Sequence, residues 1–291
     1  MARPPKFSNI RDPSTPPRLL VGASLRMTKN FMLVFSAITP HPPILIPTVG
    51  QENLKAIKKT FNSMQQLTED LYSLKPDVII IISPHGEVQA NKITINQSPI
   101  LKANFNQFGD LITSLKWRGD PGMAYKIYMH FESNEPMNLI QEEQLDHGVS
   151  VPLYYLAQNL KNVKIVPLNY SAQDHQTHFE FGKKLQEIIQ ESNQRVAVIA
   201  SGDLSHSLTA DAPAGYSSQG KKFDKKIVDS IKKKKYQDII KMDEKLVNQA
   251  AECGMRSICI LLGVIDGIDL NSKVLSYEGP FGVGYLVAEF V

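Results

Sequence analysis

The sequence predicts an α/β fold, a single domain with a central, mainly parallel (mixed) β-sheet covered by helices on both faces. Three observations carry this expectation. From residue 31 onward, short apolar runs rich in β-branched residues alternate with longer stretches of helical periodicity. The run at 78–82, Val-Ile-Ile-Ile-Ile, is continuously apolar, as in a strand buried on both faces. No Pro/Gly/Ser-rich linker and no internal repeat divides residues 32–291, so they read as one domain.

The elements follow in chain order. Residues 33–38 read as a first strand, and 51–74 as a helix with apolar positions near 3.6 spacing. After the strand at 78–82, residues 92–96 alternate and suit a half-buried strand. Residues 151–160 read as a short helix, 163–168 as a strand, 178–192 as a helix and 195–200 as another inner strand. Two or three helices are expected between 219 and 265. The chain closes with 273–277 and 283–290 as a hairpin across Glu278-Gly279-Pro280-Phe281-Gly282.

The formal net charge of +3 is unevenly placed. Residues 1–31 hold six basic side chains (Arg3, Lys6, Arg11, Arg18, Arg26, Lys29) against Asp12, together with five prolines and no hydrophobic periodicity. This stretch reads as a disordered, basic extension without a secretory-signal pattern. The remainder is therefore slightly acidic, which argues against a nucleic-acid-binding domain. No apolar run approaches the ~18–20 residues of a membrane helix. Two cysteines, Cys253 and Cys259, cannot build a disulfide scaffold or a four-cysteine zinc site, and a reducing, cytoplasmic setting suits them.

Of seven histidines, three fall just past predicted strands: His41 in Thr39-Pro40-His41-Pro42-Pro43, His85 in Ser83-Pro84-His85-Gly86, and His206 in Ser201-Gly202-Asp203-Leu204-Ser205-His206. Open α/β sheets bind ligands beyond the carboxyl ends of their strands, so these loops converge although distant in sequence. The flanking prolines stiffen the turns. One such histidine alone reads most simply as a hydrogen-bonded loop residue; three at equivalent strand ends point to a site. His147, in Leu145-Asp146-His147-Gly148, precedes a helical run that Asp146 is suited to cap. Glu252, in Ala250-Ala251-Glu252-Cys253-Gly254, pairs plainly with Arg256 on a helix surface. It also leads into the apolar stretch 258–265, where a partly buried carboxylate requires a metal or a donor. Two histidines and a carboxylate leave coordination positions open, as in non-haem Fe(II) oxygenases; zinc hydrolases use similar ligands, and the residue types leave both open.

Taken in order, His-Pro-Pro, Ser-Pro-His-Gly, Asp-His-Gly-Val-Ser-Val-Pro-Leu, Ser-Gly-Asp-Leu-Ser-His and Glu-Cys-Gly resemble the class III extradiol ring-cleavage dioxygenases of the catalytic B-subunit (LigB-like) type. Within that family the chain is most similar to the branch related to Memo and AmmeMemoRadiSam proteins. The resemblance spans residues 32–291, including the C-terminal Tyr-Glu-Gly-Pro-Phe-Gly-Val-Gly-Tyr. It implies Fe(II), with zinc or manganese as alternatives, held by His41, His85 and Glu252. It further implies His206 as general base and acid, suited by its ordinary pKa near ~6.5, and His147 as a hydrogen-bonding partner of substrate or oxygen. A small catecholic substrate and O₂ are the implied reactants, in an enzyme compatible with a homo-oligomer or a partner subunit. A zinc hydrolase on the same ligands and a Memo-like, non-catalytic binding module are the rival readings.

Other features read as structural. The lysines at 232–235 suit a solvated helix face, Asp174 a helix cap beside His175 and His178, and Cys253 a packed thiol. No Gly-x-Gly-x-x-Gly, P-loop or Gly-x-Ser-x-Gly pattern follows a strand.

Overall fold

Every side chain of the strand expected at 78–82 is buried, and the alternation divides them between two cores. Val78, Ile80 and Ile82 pack on one face of the sheet, and Ile79 and Ile81 on the other. The structure, a computed structural model, describes residues 32–132 and 137–291. The basic extension expected over 1–31 lies outside the described residues.

In chain order the elements are β1 (Leu33–Thr39), α1 (Pro47–Gly50), α2 (Lys58–Leu74), β2 (Val78–Ser83), β3 (Thr94–Asn96), β4 (Ile100–Phe105), β5 (Asp110–Gly119) and α3 (Pro121–Phe131). They continue with β6 (Asn138–Ile140), α4 (His147–Leu156), β7 (Lys164–Asn169), α5 (His175–Gln190), β8 (Val196–Ser201) and α6 (Ser218–Lys232). The chain ends with α7 (Gln237–Ile240), α8 (Glu244–Ala250), α9 (Met255–Val264), β9 (Ser272–Glu278) and β10 (Tyr285–Phe290).

These strands form one mixed sheet in the order β4-β5-β7-β2-β8-β1-β10-β9, with β3 pairing to β7 and β6. The run from β5 to β1 is parallel, and the antiparallel β4 and β10-β9 pairs flank it. Helices α2 and α4 cover one face through Met64, Leu67, Leu71, Val149 and Leu153. Helices α3, α5, α6 and α9 cover the other through Ile127, Leu185, Ile227 and Ile258. The sequence-predicted α/β architecture is thus the observed one, and the described residues form one compact unit. No described helix is long and apolar enough to cross a membrane.

Several boundaries differ from expectation for local reasons. The helix expected from 51 begins as a 3-10 segment, Gln51–Lys55, and is α-helical only from Lys58. The expected helix at 151–160 starts at His147, because the Asp146 carboxylate accepts the Val149 N–H at 3.1 Å. Asp174 likewise caps α5 by accepting the Thr177 N–H at 2.7 Å, moving its start to His175. The β4-β5 hairpin was not expected. Leu111 and Ile112 at the start of its second strand, β5, are exposed, so apolar residues there do not mark a buried face.

Candidate metal centre

The register of the parallel strands places the histidine loops side by side. Thr39 at the end of β1 lies opposite Ser201 at the end of β8, and Ser83 of β2 lies opposite Asn169 of β7. His41, 2% exposed, is fixed from both ends. Its backbone N–H donates to Asp203 Oδ1 at 3.0 Å, and its Nδ1 lies 2.9 Å from Ser201 Oγ. Ser201 Oγ donates its single hydrogen to the Gly148 carbonyl at 2.5 Å, so it accepts from His41 Nδ1–H. The tautomer that follows leaves a lone pair on His41 Nε2, the form required of a metal ligand.

That lone pair faces other donors. His85 Nε2 lies 2.9 Å from His41 Nε2. His147, the first residue of α4, stacks on His85 with ring centroids 4.1 Å apart and an interplanar angle of 23°, and meets His41 edge-on at 5.4 Å. Gly148 permits this approach, because a Cβ there would fall 2.3 Å from Ser83 Oγ. One nitrogen from each of His41, His85 and His147 lies within 4.8 Å of the others. Burial holds the His41 imidazolium down to about 3 against the opposing pull of Asp203. Burial, then the neighbouring His147, lowers His85, and burial likewise lowers His147. All three therefore stand as neutral imidazoles at neutral pH.

The loop after β8 supplies an anionic side. A Cβ on Gly202 would fall 2.1 Å from Gly254 Cα, so the two glycines let this loop pack directly on residues 252–254. Cys253 Sγ then lies 3.6 Å from His41 Nε2 and accepts the Asp203 N–H at 3.3 Å. Asp203 Oδ2 stands 4.0 Å from Nε2 of both His41 and His206. Burial pushes the Asp203 carboxyl up, but His41 and His206 outweigh it and bring the carboxyl below its ordinary value. Burial lowers His206 in turn, and Asp203 more than offsets that, raising it above the ordinary histidine value. Burial, with Asp203 and Glu252 close by, keeps the Cys253 thiol protonated.

These donors fit a metal ion. Two nitrogens each about 2.0–2.1 Å from one ion, at a right angle, lie about 2.9 Å apart, as His41 and His85 do. Imidazole, thiol and carboxylate within reach of one lone pair form a set that suits iron, zinc or copper more than magnesium or calcium.

Of the residues singled out from sequence, the structure brings His41, His85 and His147 together. It places His206 on the same Asp203 carboxylate oxygen that His41 approaches, each Nε2 4.0 Å from Oδ2. Glu252 lies near His206 and next to Cys253; its Oε2 accepts the Met255 N–H at 2.5 Å at the start of α9, and burial raises its carboxyl to about 7. Of the expected His41-His85-Glu252 set, the two histidines meet directly, while the start of α9 holds the Glu252 carboxylate beside Cys253, whose thiol faces His41. Sequence reasoning missed Ser201, Asp203 and Cys253. All three lie inside the quoted motifs, yet serine and aspartate at a strand end look like turn residues, and a thiol beside an acid looks like packing.

A cleft of about 840 Å³ opens beside the histidines, with His85 and His147 in its wall and Asn104, Gln107, Glu142 and Asn169 among its lining.

An α/β sheet carrying a histidine centre at the carboxyl ends of its parallel strands defines a metal-site protein class. The chain belongs to the family of the catalytic LigB subunit of aromatic ring-opening dioxygenases, whose model matches residues 36–288. It is similar to Protein CA_C1420 of Clostridium acetobutylicum, with 34% identity over 85% of this chain and 55% of that one, so it spans about half of that relative's length. A MEMO1 family protein of Methanosarcina mazei is 32% identical over 40% of this chain and 41% of its own. A 4,5-DOPA dioxygenase extradiol of Beta vulgaris is 23% identical over 69% of this chain and 75% of its own. The crystal structure of uncharacterized protein JW3007 from Escherichia coli K12 shares the fold, with a TM-score of 0.63 and 15% identity over 89% of this chain and all of that one.

Proposed function

We propose that the protein is a non-haem Fe(II)-dependent dioxygenase that opens a catecholic ring beside its hydroxyls with O₂. The observation that supports this reading is the convergence of neutral imidazole nitrogens on the His41 Nε2 lone pair, at the end of a cleft of about 840 Å³. Membership of a ring-opening dioxygenase family and likeness to an extradiol enzyme agree with it.

In this reading His41 and His85 hold the metal with Glu252, and Cys253 or His147 are the alternative third donors. The Met255 N–H occupies one lone pair of Glu252 Oε2, and a carboxylate has others to offer a metal. When bound, iron supplies the redox chemistry that lets a catechol react with O₂. The protein contributes orientation and proton handling. Ser201 fixes the His41 tautomer, Asp203 orients His206, and His206 takes the proton released by the catechol hydroxyl and returns one during ring opening. His147 contributes a hydrogen bond to the substrate or to oxygen. Both atoms of O₂ enter the product, which carries an aldehyde and a carboxylate. The two free thiols fit a reducing compartment such as the cytoplasm.

The Cys253 thiol favours a second reading, a zinc hydrolase, because sulfur is a preferred zinc ligand. Anaerobic loading with Fe(II), addition of nitric oxide and EPR with and without ethylcatechol test both. A high-spin iron–nitrosyl signal that changes with ethylcatechol is expected for the dioxygenase. Tight stoichiometric zinc with no such iron signal overturns it in favour of the hydrolase, and absence of any bound metal leaves a binding module.

A further inference from the structure

The cleft wall facing the histidines is formed by residues 140–145, and the fold holds this irregular segment unusually firmly. Gln97 N–H donates to the Ile140 carbonyl at 2.9 Å, Lys102 N–H to the Glu143 carbonyl at 2.6 Å, and Leu145 N–H to the Lys102 carbonyl at 2.9 Å. Asn96, only 6% exposed on β3, grips Glu142 at both backbone groups. Its Nδ2 donates to the Glu142 carbonyl at 2.7 Å, and its Oδ1 accepts the Glu142 N–H at 3.2 Å. Its Oδ1 also accepts the Ser98 N–H at 3.0 Å, so this buried amide is spent on backbone groups, and Glu142, whose backbone it grips, lines the cleft with an exposed carboxylate. Among the described residues no donor meets that carboxylate.

Glu87, two residues beyond His85, faces the same space, with Gln89 Nε2 at 2.8 Å as its partner. Asp146 adds a third acid, its Oδ1 taken by Ser83 Oγ and the Val149 N–H. Amides make up most of the remaining polar lining, and among the described residues that line the cleft none is lysine or arginine. Lys102 on neighbouring β4 is engaged in an ion pair with Glu143.

A cleft that ends on imidazoles and is lined by carboxylates and amides, with no basic residue among its described lining, selects by charge. A substrate arm ending in a carboxylate meets like charge without a basic partner, whereas an ammonium arm meets two acceptors. Resting on the catechol-binding reading above, we propose that the substrate is a catechol whose side arm carries an amine, held by Glu142 and Glu87, and that the site disfavours catechols with a carboxylate arm.

Three probes share a two-carbon arm and differ only in its end: dopamine, ethylcatechol and dihydrocaffeate. Their affinities are measured calorimetrically on the Fe(II)-loaded protein under nitrogen, so binding is read without turnover. Dopamine is expected to bind tightest and dihydrocaffeate weakest, about 10-fold or more apart at low salt and closer at high salt. In Glu142→Gln, and further in Glu87→Gln with it, that ratio is expected to fall towards unity. Ethylcatechol binding with no preference between the charged arms, or with a preference for dihydrocaffeate, overturns this proposal and leaves the catechol site standing. An amine preference indifferent to both substitutions overturns the assignment to Glu142 and Glu87. Failure of all three probes to bind overturns the catechol-site reading, and this proposal with it.

Discussion

Cys253 Sγ lies 3.6 Å from His41 Nε2, nearer than the 4.0 Å separating that nitrogen from Asp203 Oδ2. The contact depends on Gly202 and Gly254 meeting backbone to backbone. If this thiol is a ligand, Cys253→Ala weakens metal binding about 10-fold or more, whereas Glu252→Gln has an effect nearer the error of the measurement. Because burial holds the thiol protonated, ligation also releases its proton. Calorimetry in two buffers of different ionisation enthalpy then reads about one proton fewer for Cys253→Ala. The opposite ranking of the two variants returns the third position to Glu252.

The Ser201 hydroxyl sets which His41 nitrogen is free, through its paired contacts to Nδ1 and the Gly148 carbonyl. Ser201→Ala is expected to lower metal affinity about 10- to 100-fold, the usual cost of losing a group that orients a ligand. Ser201→Thr, which keeps the hydroxyl, retains most of it. Chelator competition measures affinity, and the nitrogen shifts of His41 report the tautomer. A fall in Ser201→Ala with the Nδ1–H tautomer intact places the role of Ser201 in packing alone.

The fold was legible because its signals are local and repeated. The 78–82 run buries on both faces wherever it is placed, and Asp146 and Asp174 cap helices through hydrogen bonds to residues three positions away. His41 and His85 were legible because a strand end followed by proline and histidine has few structural uses. The packing of the third donor was harder to read, because which of adjacent Glu252 and Cys253 faces the histidines depends on the geometry of the α9 start. That is fixed by Met255 N–H and by glycine contacts across about 50 residues of sequence, as in the Asp203–Cys253 bond. The β4-β5 hairpin escaped for a related reason: β5 carries Leu111 and Ile112 into solvent, contrary to the burial rule that strand reading relies on.

Asp224 provides a pH test of the loop that carries His206. Its Oδ1 accepts the Ser205 N–H at 2.8 Å and its Oδ2 the Tyr277 hydroxyl at 2.7 Å, and burial raises the carboxyl to about 7. A carboxyl whose folded pKa exceeds its unfolded value stabilises the fold fully below the unfolded pKa near ~3.9, and loses that contribution as pH rises through about 7. Wild type should therefore lose stability relative to Asp224→Asn between about pH 4 and pH 7, by up to about 1.4 kcal/mol per unit. Urea unfolding of both proteins across that range measures it. A constant difference between them shows that Asp224 does not titrate there.

Ala251 closes α8 with φ +52° and ψ +46°, in the left-handed region, and its N–H donates to the Asn248 carbonyl at 3.2 Å. The turn joins two parts of the site. On one side the Ala250 carbonyl accepts the His206 N–H at 3.0 Å and Ser205 Oγ at 2.9 Å; on the other come Glu252 and Cys253. Left-handed backbone costs an L-residue about 1–2 kcal/mol, and glycine avoids this at about 0.5–1 kcal/mol of added chain entropy. Ala251→Gly is thus expected to stabilise the protein by up to about 1 kcal/mol, read as a higher urea midpoint at unchanged slope. The same change frees the backbone that aims Cys253, so metal affinity should fall while stability rises. Higher stability with unchanged metal affinity shows that the turn does not position the thiol. Lower stability shows instead that the alanine methyl group holds the turn by packing.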